Sequence, residues 1–201
     1  MPQPSSKFEI SKEDVNRLPL WRYDERIELL ETEYDFIAAG DRMSASPEIG
    51  IDTETRPAFR KGQVFKVALI QLALPDVVYL LRLNQHGLPD PIRHVLENPT
   101  IAKIGIAQKD DVRELKRDFD CALSNVTDLN ILCRKIGYKS IGARKLVALI
   151  MEKRISKGQQ TSNWECPKLT DRQMEYAATD AWVCLEMHNI LRERGMLPES
   201  K

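Results

Sequence analysis

Two carboxylates stand two residues apart in the segment Ile49-Gly50-Ile51-Asp52-Thr53-Glu54. Strand side chains alternate between faces, so an extended segment here turns Gly50, Asp52 and Glu54 to one side and both isoleucines to the other. Burying unpaired carboxylates is expensive, and like charges at close range hold each other protonated unless a cation neutralises them. A hard divalent ion such as Mg²⁺ or Mn²⁺ is the natural partner for such oxygen ligands. Acids at the exposed end of a strand are common for plainer reasons, so the pair alone does not define a site.

More acids follow at places where chemistry is conceivable. In Ile104-Gly105-Ile106-Ala107-Gln108-Lys109-Asp110-Asp111-Val112-Arg113-Glu114-Leu115 a short strand runs into a helix whose apolar positions are Val112, Leu115 and Phe119. Asp110 and Asp111 both open that helix, where either one complements the macrodipole. Tyr176 and Asp180 lie four residues apart, one above the other on a helix face. His86, His94 and His188 show no metal-ligand spacing and read as structural or surface residues. Cys121, Cys133, Cys166 and Cys184 contain no C-x-x-C pair, which predicts reduced structural thiols.

The 201 residues, 42% of them apolar, suffice for one domain that buries roughly 70% of its unfolded surface. Thirty basic residues balance thirty acidic ones, so no overall field advertises a nucleic-acid or other charged partner. Neutrality hides a dipole: residues 1–55 carry 13 acids against 6 bases, whereas residues 134–157 carry 8 bases against the single acid Glu152. That basic stretch is either a solvated helix face or a rim that tracks phosphates. No apolar run approaches about 18 residues, and Met1 to Lys12 is polar, without the apolar stretch of a secretion signal. These features predict a soluble, cytoplasmic protein with no membrane partner.

The elements that must position these residues are legible from periodicity. Strands are predicted near Ile27–Leu30, Ile49–Glu54, Val64–Leu74, Val77–Leu83 and Lys103–Ile106, the third and fourth joined as an antiparallel hairpin at Pro75-Asp76. Helices are predicted near Glu33–Met43, Pro89–Glu97, Lys109–Phe119, Thr127–Ile136, Ala143–Lys153 and Asp171–Glu193. The last begins at a capping box, Thr170 with Gln173, and carries the stripe Met174, Ala177, Ala178, Ala181, Cys184, Leu185 and Leu191. Strands followed by a mostly helical second half define an α/β class, a mixed sheet flanked by helices. Ser11 and Leu18-Pro19 bracket a short helix, so residues 1–24 read as an N-terminal arm packed on a single domain spanning 25–201.

The order of these features closely resembles one family. A D-x-E on an early strand, an acid opening a mid-chain helix and a Y-x-x-x-D on a late helix resemble the motifs of the DEDDy 3'-5' exonucleases, of the ribonuclease D and Werner-syndrome exonuclease type. The likeness runs from about Glu48 to Leu191 and extends to Lys66-Val67-Ala68-Leu69-Ile70-Gln71-Leu72, to Thr161-Ser162-Asn163-Trp164 and to Tyr176-Ala177-Ala178-Thr179-Asp180-Ala181. Within the middle motif the pattern D-hydrophobic-x-x-L selects Asp111 over Asp110. Thr55 stands where Werner-type proteins carry Trp, and the chain looks most like the short bacterial members.

The resemblance implies a ribonuclease H-like fold and metal-dependent release of 5'-mononucleotides from DNA or RNA with a free 3' end, single-stranded or frayed. It implies two divalent cations, Mg²⁺ or Mn²⁺, with Asp52 bridging them, Glu54 and Asp180 completing the nucleophile-side ion and Asp111 holding the other largely through waters. Tyr176 would orient or deprotonate the attacking water. Arg144, Lys145, Lys153, Arg154 and Lys157 would then meet backbone phosphates, and Phe59, Phe65 and Trp164 are candidate stacking surfaces for bases, with core packing the alternative for Phe65 and Trp164. Other readings on the same fold are a catalytically weak nucleic-acid-binding module and a scaffold whose acidic arm docks a partner.

Overall fold

Six strands pair into one mixed sheet in the computed structural model, which describes residues 8–60 and 62–197, so residues 1–7 of the expected arm lie outside the described part. In chain order the elements are α1 (Lys12–Arg17), β1 (Ile27–Leu30), α2 (Glu33–Ser44), β2 (Glu48–Thr55), β3 (Val67–Leu74) and β4 (Val77–Leu81). They continue with α3 (Leu83–His86), α4 (Asp90–Glu97), β5 (Ala102–Gly105), α5 (Lys109–Phe119), β6 (Val126–Asp128), α6 (Leu129–Ile136), α7 (Ala143–Met151) and α8 (Asp171–Glu193). The sheet order is β1-β4-β3-β2-β5-β6. β3 runs antiparallel to both neighbours, while β1 with β4, β2 with β5 and β5 with β6 are parallel.

Two apolar layers cover the sheet. Ile49 and Ile51 of β2 join Ile70, Leu72 and Leu81 under α2 and α4. On the opposite face Leu69, Ala73 and Leu80 meet Ala177, Ala178 and Ala181 of α8. Burial on both faces is why β3 and β4 read as nearly continuous apolar runs, β3 broken only by Gln71. Each fully buried Leu or Ile contributes about 1.5–3 kcal/mol. The small residues of α8 let its backbone lie directly on the strands. Among the described residues no helix is long and apolar enough to cross a membrane.

The hairpin at Pro75-Asp76, the Ser11 cap of α1 and the Thr170–Gln173 capping box are all present. Boundaries shift where side chains find other partners. β3 starts at Val67 rather than Val64, because the Val67 amide donates to Asp118 Oδ2 at 2.9 Å and a register shift intervenes at Glu54/Thr55. β4 ends at Leu81, where Arg82 turns its guanidinium to the carbonyls of Cys166 and Pro167. The helix expected from Thr127 begins at Leu129; the preceding residues extend the sheet as β6, and Asp128 becomes the cap by accepting from the Asn130 amide at 2.8 Å.

Candidate active site

Strand alternation places Gly50, Asp52 and Glu54 on the face that α8 covers, and α8 supplies Asp180 at the same level. Oxygens of Asp52, Glu54 and Asp180 all lie within 4.8 Å of one another. Asp111, in the first turn of α5, borders the group: Thr53 Oγ1 donates to its Oδ1 and Gln108 Nε2 donates to its Oδ2 at 3.0 Å. Gln108 is itself pinned, since its amide and that of Ala107 donate to the Asp128 carboxylate at 3.0 and 3.2 Å. Gly105 makes room for it, because a side-chain carbon there would lie 2.3 Å from Gln108 Cδ.

Tyr176 sits one turn before Asp180 and is backed by Trp164, with ring centroids 6.1 Å apart. The start of α8 is held by Gln173, whose Nε2 donates to Ser162 Oγ at 3.1 Å and to the Asn163 carbonyl at 3.3 Å. Further along, Thr179 Oγ1 accepts from the Tyr23 amide at 3.0 Å. The cap and these ties fix the rotation of α8, and therefore which side chains face β2.

Electrostatics follow from this crowding. Burial, then the charges of Asp180, Glu54 and Asp111, push the Asp52 carboxyl well above the usual range. Burial and the charges of Asp180 and Asp111 raise Glu54 to about 9. Burial carries Asp180 to about 7, partly opposed by the Tyr176 hydroxyl directed at it. Asp111 rises to about 6, again through burial, with the Thr53 hydrogen bond pulling the other way. The Tyr176 phenol is driven up by burial and by Asp180 and Glu54. None of the ion pairs among the described residues involves any of these four acids.

Half-buried carboxylates with no ion-pair partner among the described residues fit hard divalent ions, which take oxygen ligands and cancel the mutual repulsion. A second observation agrees. Gln71 pairs in register with Asp52 across β2 and β3, and both polar atoms of its buried amide lack a hydrogen-bond partner. An amide left unpaired in a dry interior costs about 1–3 kcal/mol, so it marks a place built for a polar occupant.

The basic residues expected to meet phosphates separate into groups. Arg144 and Lys145 on α7 and Lys157 after it line a cavity of about 710 Å³ together with Asp52, Glu54, Tyr176 and Asp180. Lys153 does not; it borders a different cavity beside Trp21 and Trp182. Arg154 is turned to the arm, where its Nε donates to the Leu18 carbonyl at 2.9 Å. Trp164 is fully buried and has no face to offer a base; its ring supports Tyr176 instead. Phe59 is exposed.

Thr53, Gln71 and Gln108 were not among the expected site residues. Gln71 had a signal: it is the one polar residue in the run Val67–Leu74. Thr53 and Gln108 had none, because their roles depend on how the β5–α5 turn meets the end of β2.

The family model described as 3'-5' exonuclease matches residues 27–195, and the chain belongs to that family, whose members hydrolyse phosphodiester bonds of nucleic acids. It is 33% identical over 152 residues to a 3'-5' exonuclease of Arabidopsis thaliana, covering 72% of this chain and 52% of the relative. Ribonuclease D of Haemophilus influenzae is 30% identical over 149 residues, covering 72% of this chain and 36% of the relative. The chain thus spans about half the length of these curated relatives or less. Among solved structures, the EXO domain of Aedes aegypti Nibbler superposes with a TM-score of 0.77 at 24% identity, covering 87% of this chain and 91% of that one. At that identity the likeness defines the fold, the ribonuclease H-like mixed sheet with flanking helices.

Proposed function

We propose that the protein is a metal-dependent 3'-5' exonuclease of the tyrosine-bearing, four-acid type, releasing 5'-mononucleotides from a free 3' end of DNA or RNA. The observation that carries this reading is the convergence of Asp52, Glu54 and Asp180 within 4.8 Å, in a cavity that Arg144, Lys145 and Lys157 also line. When bound, two divalent cations, Mg²⁺ or Mn²⁺, lower the pKa of water and stabilise charge on the attacking and leaving oxygens of an in-line displacement.

The residues divide that work. Asp52, Glu54 and Asp180 would hold the ions together with Asp111, which Thr53 and Gln108 clamp in place. Burial and its acidic neighbours raise the Tyr176 phenol, and in this reading its hydroxyl aims the attacking water by a hydrogen bond. Arg144, Lys145 and Lys157 neutralise backbone phosphates without reading sequence, so binding weakens steeply with salt.

Digestion of 5'-labelled and 3'-labelled DNA and RNA oligonucleotides tests the reading. Expected is a ladder shortening from the 3' end with Mg²⁺ or Mn²⁺, abolished by EDTA and in Asp52→Asn. Internal cuts, shortening from the 5' end, or full turnover in Asp52→Asn would overturn it.

A further inference from the structure

The cavity that holds the acids has a wall outside the family match. Lys12 and Val15 of α1 line it alongside Asp52 and Tyr176, yet the match begins only at residue 27. The arm is tied down at both ends of α7. Before α7, the Phe8 carbonyl accepts from the amides of Lys139 and Ser140 at 2.9 and 3.3 Å; after it, the Arg154 amide donates to Pro19 and the Trp21 amide donates to Arg154 at 3.0 and 2.8 Å. Between these ties Val15 is buried, and Asn16 Oδ1 accepts from Arg144 Nη2 at 3.1 Å. The arm is therefore a strap laid along α7, and α1 is its section over the cleft.

Charge gives the strap a purpose. Lys12, Arg144, Lys145 and Lys157 share the cavity, and none of them forms an ion pair among the described residues. Four cations without an ion-pair partner among the described residues share this cavity with the acids, an arrangement suited to a polyanion that passes the bases and ends at the acids. The acids take the terminal phosphodiester. Cations beyond them meet phosphates on its 5' side.

We propose that α1 is a wall of the substrate cleft and that Lys12 holds a backbone phosphate upstream of the terminal nucleotide of a single strand. This rests on the exonuclease reading for the polarity of the strand. A Lys contributed by the arm extends the binding track past the family domain, so longer substrates gain from it and the shortest do not.

The test is fluorescence anisotropy of 5'-labelled oligonucleotides of two and eight nucleotides, with Ca²⁺ present, over a series of KCl concentrations. Lys12 is exposed, so Lys12→Gln leaves folding intact, and Lys12→Glu enlarges the effect. Expected is a several-fold loss of affinity for the longer strand and a salt slope shallower by about 0.7, the share of one phosphate contact on a single strand. The short strand should bind each variant alike. Equal affinity and slope on the longer strand, or an equal loss on both lengths, would overturn the assignment. Shortening of the same oligonucleotides in Mg²⁺ scores the nuclease separately: a chain that binds with the Lys12-dependent slope and shortens neither keeps the wall and loses the activity.

Discussion

A side-chain carbon on Gly50 would lie 2.3 Å from the carbonyl oxygen of Ala181, closer than nonbonded atoms approach. Gly50 precedes Asp52 on the same face of β2, and Ala181 directly follows Asp180 on α8. This bare contact between strand and helix backbones sets how near the two carboxylates come. Glu48 fastens the same pair of elements further along, beside Arg192 and with its Oε2 3.1 Å from His188 Nδ1.

Gly50→Ala should therefore push α8 away from β2. Overpacking of this kind costs about 1–3 kcal/mol, and turnover should fall further than the loss of stability explains. Urea unfolding, paired with activity measured well below the transition, checks both parts; wild-type activity in a stably folded variant contradicts the role of the contact.

Replacing an acid should stabilise the metal-free chain. Asp52 is held in a repulsive, buried setting, so Asp52→Asn is expected to raise the Tm in EDTA at pH 8, by about 2–4 °C for each kcal/mol relieved. The same variant should lose the Tm increase that Mn²⁺ gives the parent protein, since ions bound only to the folded state raise it. Calorimetric scans with and without Mn²⁺ read both effects.

Metal-free stability should fall as pH rises from 5 to 8. The folded-state values of Asp111, Asp180 and Glu54 rise to about 6, 7 and 9, above the ordinary carboxylate range. In that window the folded chain binds more protons than the unfolded one, so the slope of stability against pH is negative. Glu48 acts the other way, lowered to about 2; after burial, which opposes the shift, its cause is hydrogen bonding with His188 and Arg192, and its contribution is lost only below about pH 4. The gain in Tm from Mg²⁺ should accordingly be larger at pH 8 than at pH 6. A flat or rising profile in EDTA contradicts the crowding of the acids.

Gln108→Ala removes the amide that orients Asp111 while leaving every carboxylate in place. Losses of about 10- to 100-fold are typical when the partner that orients a metal ligand is removed. The concentration of Mn²⁺ needed for half-maximal activity should rise by a similar factor. An unchanged Mn²⁺ requirement would place Asp111 outside the working set.

Local rules gave the faces of these side chains, strand alternation for Asp52 and Glu54, helical spacing for Tyr176 and Asp180 and a capping box for the start of α8, but grouping them as one set, and choosing Asp111 over Asp110, came from the family resemblance. The basic wall was only half legible. Arg144, Lys145, Lys153, Arg154 and Lys157 are close in sequence, but α7 ends at Met151 and the residue that caps it, Glu152, is left-handed with φ 56°. The chain turns there, carrying Lys153 and Arg154 away from the cleft. Trp164 takes the core-packing alternative rather than the stacking one: it reaches Tyr176 from the buried side. β6 was hidden because three residues are too few to show a period, and Lys12 because nothing local says that an arm will cross a cleft.

The most direct test of the central claim is Mn²⁺ binding at pH 8 followed by electron paramagnetic resonance. Two ions per chain, close enough to couple magnetically, are expected for the parent protein, with the coupled signal lost in Asp52→Asn. Binding that is absent, or that is identical in the variant, would contradict a cation site built from these carboxylates.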